Sequence, residues 1–175
     1  LVDFVRYELE LTGSHVGCEH GVCGACTIRV DGDIVRGCLM LAAQAAGSNV
    51  ETIEGLSENG TIADLQQAFH ERNAVQCGFC TPGIVMAIYA KLRASPNATP
   101  HELEESMDGN LCRCTGYRPI IDAVRSLSNR KGLEGETTTP PNPPSSTDEG
   151  AAGSGGGGCC KGGGGSCPCK EDSLP

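Results

Sequence analysis

The apolar positions change their spacing along the chain. Over residues 1–57 short apolar runs alternate with turn residues. Leu1, Phe4, Val5 and Leu9 stand at helical spacing through Leu11. Thr27–Val30, the turn residues Asp31 to Asp33, and then Ile34 and Val35 read as a β-hairpin, and Asn49–Ile53 reads as a further strand. From residue 58 to 130 the period becomes helical and start signals recur. Thr61 to Asp64 opens one helix, Thr81 places a capping oxygen before Pro82 at the first helical position, Thr99, Pro100 and Glu102 have the form of a capping box, and Pro119 marks a fourth start. Ile84, Val85, Ile88 and Leu92 make one apolar stripe, and Ile120, Ile121, Val124 and Leu127 another, so four short helices are expected to pack together. Beyond Lys131 the pattern stops. Pro140, Pro141, Pro143 and Pro144 and two glycine runs around Cys159 and Cys160 leave almost nothing apolar to offset ordering, so 131–175 is expected to be a flexible linker or tail.

The pattern therefore predicts an α+β domain, an all-α domain and a tail. Each domain is too small to rely on a large apolar core. Cysteine changes the picture, because 12 occur in 175 residues and they fall in tight groups. No run is long and apolar enough to span a bilayer, and the first residues lack the basic flank and apolar stretch of a signal peptide. A reducing compartment is therefore expected, where close-set thiols read first as metal ligands. The net charge of -9 and the lack of any Lys/Arg cluster set nucleic acid aside as a partner. The chain opens on Leu1, inside an amphipathic pattern, which reads as a fragment.

Cys18, Cys23 and Cys26, followed after the hairpin by Cys38, make C-x4-C-x2-C with a distant fourth cysteine, the plant-type 2Fe-2S spacing. Each iron needs two thiolates besides the bridging sulfides, and Gly17, Gly21 and Gly24 permit a loop to wrap closely around such a cluster. A four-cysteine zinc site is the alternative, but it is commonly built from two short hooks rather than one glycine-rich loop. His15 and His20 read as solvent-facing loop residues, since four cysteines already complete the site.

The second group is Cys77 and Cys80, then Cys112 and Cys114, with both hooks placed before expected helices, where partial positive charge favours anionic sulfur. Spacing alone fits zinc and iron about equally. The ordered combination of Cys18 to Cys26, Gln76-Cys77-Gly78-Phe79-Cys80-Thr81-Pro82-Gly83 and Gly109-Asn110-Leu111-Cys112-Arg113-Cys114-Thr115-Gly116-Tyr117 resembles the two-cluster iron–sulfur portion of the molybdenum hydroxylases, the xanthine dehydrogenase and aldehyde oxidase family. The resemblance covers residues 1 to about 128.

That resemblance implies a β-grasp, ferredoxin-like domain over 1–57 with its first hairpin missing, and a four-helix 2Fe-2S domain over 58–130. It implies Cys18, Cys23, Cys26 and Cys38 as ligands of a cluster on the flavin side, and Cys77, Cys80, Cys112 and Cys114 as ligands of a cluster beside the molybdopterin. Gln76 and Cys114 match positions that approach the pterin. Electrons would pass from the molybdopterin centre through both clusters to FAD, in a cytoplasmic, alternatively peroxisomal, homodimeric enzyme whose FAD-binding and molybdopterin-binding domains are this portion's partners. Xanthine is the first choice of substrate and rests on the linker alone, which also favours a fused polypeptide; the alternatives are a separate small subunit of a carbon monoxide, isoquinoline or aldehyde dehydrogenase, or a zinc-stabilised interaction module. Loss of the upstream hairpin is expected to leave unpaired strand groups and poor folding around the first cluster.

Weaker features remain. Cys159, Cys160, Cys167 and Cys169 read as linker thiols without an organised site, and His70 and His101 as surface groups. Glu102, Glu104 and Glu105 read as a solvated helix face. Arg113 and Arg118 read as balancing cluster charge or meeting a partner.

Overall fold

The computed structural model describes residues 1–127; the expected tail and its four cysteines lie outside the described residues. The first apolar stretch forms a helical turn that widens into a π-helix at Phe4–Glu8, with Leu9 N–H donating to Phe4 O at 3.2 Å. The turn buries Val2 and Val5 and leaves Phe4 and Tyr7 exposed. The hairpin forms as expected from β1 (Thr27–Val30) and β2 (Asp33–Arg36), with Val30 opposite Asp33. Asp31 and Gly32 both have positive φ, the requirement of a two-residue turn whose twist matches that of its strands.

A third strand, β3 (Val50–Glu51), pairs antiparallel with the other edge of β1, giving the order β2-β1-β3. The strand expected over Asn49–Ile53 is thus shorter. Ile53 instead opens α1 (Ile53–Glu58), a helix that the spacing did not single out. The expected helices follow as α2 (Ala63–Glu71), α3 (Thr81–Ala94), α4 (Pro100–Ser106) and α5 (Arg118–Leu127).

Two of the expected caps differ. Thr61 does not cap α2, whose flanking residue is Ile62 with no side-chain cap bond. Thr81 is already inside α3, because Gly78 at φ +82 turns the chain one step earlier and Cys80 takes the flanking position. The capping box at Thr99 is present. Glu102 N–H donates to Thr99 Oγ1 at 3.3 Å, and Thr99 N–H donates back to Glu102 Oε2 at 2.8 Å.

Helix α3 is buried on every side from Gly83 to Tyr89, as a helix sandwiched between layers must be. It packs on β1 and β2 at one side and on α1 and α4 at the other, while α5 covers α2 and α4. Arg29 of β1 locks the layers together. It pairs with Glu51 on β3 and lies over the Tyr89 ring of α3, 5.2 Å from its centre. On the far face Arg125 of α5 binds Glu104 of α4 at 2.6 Å, which places that glutamate in an ion pair on its solvated face.

The cap yields a test. Thr99→Ala should destabilise the protein by about 1 kcal/mol in denaturant unfolding. Glu102 has its carboxyl held below the usual range, first by the Thr99 backbone N–H and then by the Thr99 hydroxyl and Lys91. A depressed carboxylate stabilises fully above the unfolded pKa, near about 4.3, and loses that effect as pH falls through its lower folded value. The stability gap between the wild type and Glu102→Gln should therefore close over that acid range.

Candidate metal centres

The loop before β1 carries three of the expected thiols, and the turn after β2 brings up the fourth. They assemble two by two, with Cys18 beside the Cys23 thiol and Cys38 beside the Cys26 thiol. Cys23 N–H points at Cys18 Sγ at 3.4 Å. That contact, followed by the His20 backbone N–H, lowers the Cys18 pKa to about 6, so this loop already favours a thiolate. Burial, then the Cys26 thiol, raises Cys38. Gly21 and Gly24 have the positive φ expected of this loop, and a Cβ on Gly17 would come within 3.1 Å of Cys23 Sγ.

The second set shows the same pairing. Cys114 Sγ lies 3.4 Å from Cys77 Sγ, and Cys80 lies beside the Cys112 thiol. Cys80 flanks the N-terminus of α3, as expected, whereas Cys112 and Cys114 sit in the loop ahead of α5 rather than against its first turn. Cys77 is lowered, first by the Phe79 backbone N–H and then by Cys114, while its partner Cys114 is raised. Cys80 is pushed up to about 12 by burial, then by Cys112; for Cys112 burial is outweighed by hydrogen bonds from Thr115, and its pKa falls. In each of these pairs one thiol is lowered and its partner is raised. Gln76, Cys77 and Cys114 are all exposed at one surface.

Among the described residues no three His, Cys, Asp or Glu side chains converge on a point as a single ion requires. Two thiol pairs per set suit a binuclear centre with two thiolates on each iron. The donor chemistry therefore fits a 2Fe-2S cluster in both places.

Several residues that shape these loops were not recognisable from spacing. His15 is not a free loop histidine: its ring stacks on Phe79, centres 4.7 Å apart, and its Nδ1 lies 2.8 Å from Phe79 O. This ties the first cysteine loop to the Cys77–Cys80 hook. Tyr117 adopts φ +66, a strained conformation for a side chain of its size. Its hydroxyl accepts from Cys112 N–H at 2.9 Å and lies 3.3 Å from Asn110 O. Arg118 pairs with Asp122 at 3.3 Å, and Arg113 is exposed. No helix among the described residues is long and apolar enough to cross a membrane.

Two family models match. Residues 1–52 match a 2Fe-2S iron-sulfur cluster binding domain and residues 52–125 a second 2Fe-2S binding domain, so the chain is a two-domain 2Fe-2S protein. It is 55% identical over 131 residues to the caffeine dehydrogenase subunit gamma of Pseudomonas sp. (strain CBB1), covering 73% of this chain and 78% of that one. It is 44% identical to the xanthine dehydrogenase of Dictyostelium discoideum, covering 74% of this chain and 10% of the relative. Its fold is like that of quinoline 2-oxidoreductase from Pseudomonas putida 86, with a TM-score of 0.68, 48% identity, and coverage of 73% of this chain and 79% of that chain. The chain belongs to the iron–sulfur portion of the molybdenum hydroxylases, the oxidoreductase family of xanthine dehydrogenase and its relatives.

Tyr117→Phe should expose the role of that hydroxyl. It leaves Cys112 N–H without its acceptor, and unfolding should register a loss of about 1–3 kcal/mol.

Proposed function

We propose that Cys18, Cys23, Cys26 and Cys38 hold one 2Fe-2S cluster and Cys77, Cys80, Cys112 and Cys114 hold the other. In this reading the chain carries electrons from a molybdopterin centre, through the second set and then the first, to FAD in a xanthine dehydrogenase-like enzyme. The observation that carries the reading is the two-by-two pairing of thiols in both loops. When bound, each cluster supplies a one-electron store. The chain's own residues supply the rest: thiolates, backbone N–H donors, and a rigid mount on α3.

Orientation follows from what is exposed. Gln76, Cys77 and Cys114 lie open at the surface of the second set, where a pterin could approach them. Val22, Leu39 and Leu41 are exposed apolar residues beside the first set, a surface that a flavin domain would cover. The domain division is 1–57 and 58–130, and the parent enzyme is a homodimer. Its substrate is an N-heterocycle, the class named in caffeine dehydrogenase, quinoline 2-oxidoreductase and xanthine dehydrogenase. A second reading places the same module as a separate small subunit. It is favoured by the identity of 55% to the caffeine dehydrogenase subunit against 44% to the single-chain xanthine dehydrogenase.

Iron and acid-labile sulfide analysis with EPR after reduction tests the proposal. Two clusters require four irons per chain and two distinct rhombic signals. Cys26→Ser should remove one signal and Cys80→Ser the other. Zinc without sulfide in the wild type would overturn the ligand assignment and the redox role together.

A further inference from the structure

We infer that Asn110 is a positioning residue for electron passage between the two cysteine sets, an inference that rests on the reading that both sets hold clusters. Leu111 N–H donates to Cys23 O at 2.9 Å. Cys23 belongs to the first set, and Leu111 is bonded to Cys112 of the second. A single hydrogen bond therefore joins the backbone of one ligand residue to the backbone next to another.

The residues on either side hold that bond in register. Asn110, 2% exposed, donates from Nδ2 to Gly24 O at 2.9 Å, so the neighbours of Leu111 and Cys23 are clamped to each other. Arg36 donates from Nη2 to Gly109 O at 2.7 Å and also bonds the Thr27 hydroxyl. Thr27 Oγ1 in turn donates to Gly24 O at 2.6 Å. Three successive residues, Gly109, Asn110 and Leu111, are gripped by the first cysteine loop and its hairpin.

Stability alone does not explain the choice of asparagine. Its Oδ1 is buried and has no hydrogen-bond partner among the described residues, which opposes folding. An apolar side chain would avoid that cost. What the amide adds is the Nδ2 donor at the carbonyl beside the Cys23–Leu111 bond. The approach is also too close for adjustment: a Cβ on Gly24 would come within 2.6 Å of Asn110 Nδ2, and one on Gly83 within 2.9 Å of it.

The step served is a bare electron transfer. With clusters held by both sets, one electron would pass from the reduced second cluster to the oxidised first, with no bond made or broken and no proton moved. Its rate falls steeply with distance and falls further wherever the route crosses a gap instead of bonded atoms. Lengthening the Cys23–Leu111 contact therefore slows passage while leaving each cluster's own ligands in place.

The test uses the reduced holoenzyme carrying Asn110→Ala, the isosteric Asn110→Asp, or Thr99→Ala as a variant destabilised far from both loops. The readouts are the g-values of each cluster, the spin–spin splitting between the two reduced clusters, and the intercluster electron-transfer rate after pulse reduction. The expected result for both Asn110 variants is unchanged g-values, a smaller splitting and a rate lowered several-fold, with Thr99→Ala like the wild type. Unchanged splitting and rate in the Asn110 variants would overturn the inference. So would loss of either cluster in both of them, which would make Asn110 a structural residue only. A wild type lacking two cluster signals fails the functional reading instead, and is seen before any variant is made.

Discussion

The close approach of the two cysteine loops at the Gly24 carbonyl is the constraint on which the rest of the structure depends. That oxygen receives the Thr27 N–H, the Thr27 hydroxyl and the Asn110 amide, and the adjacent Cys23 carbonyl receives Leu111 N–H. Positive φ at Gly24 turns the loop so that these carbonyls face the second half of the chain. Gly83 at the start of the buried stretch of α3 lacks a Cβ at the point where one would strike Gly24 O. Sheet, central helix and both cysteine loops thus meet where only backbone and small groups fit.

Each cysteine set carries an electrostatic conflict of its own. Bringing four thiols together in a small volume would be unfavourable if all were anionic, and the pKa directions show the compromise: Cys18, Cys77 and Cys112 are lowered while Cys38, Cys80 and Cys114 are raised. A metal cluster held there would remove the conflict, because its positive charge favours thiolate. Cluster binding would accordingly be linked to folding of the loops, and the backbone N–H groups aimed at Cys18 and Cys77 hold part of the site ready beforehand.

Much of this was legible in the amino-acid order because the signals are local. Asp31-Gly32 needs positive φ at two adjacent residues, and Thr99 with Glu102 closes a box within a single turn, so neither depends on distant contacts. The spacing of the two proposed cysteine sets was likewise readable, and within them the thiols lie in pairs, Cys77 with Cys114 and Cys80 with Cys112 in the second. The readings that failed were those in which a neighbour outside the motif decided the outcome. Thr81 was displaced from its capping place by the turn at Gly78, and the short α1, with Gly55 within it, has too little periodicity to stand out from the strand before it. His15 read as a solvent-facing loop residue and Asn110 only as a member of the second cysteine motif, because the atoms that give them meaning, the Phe79 ring and Gly24 O, lie 64 and 86 positions away in the chain. No local pattern encodes such contacts.

The two halves are unequal in how they are held. The apolar core runs from Leu56 to Leu127 and is drawn from the helices, whereas the buried apolar residues ahead of α1 are few: Val2, Val5, Ala25, Cys26, Ile28 and Val30. A layer that thin cannot offset its conformational entropy through burial alone. It depends instead on α3, through Arg29 over Tyr89 and through the close packing of Gly83 on Gly24. The helical half therefore acts as the platform on which the first cysteine loop is assembled.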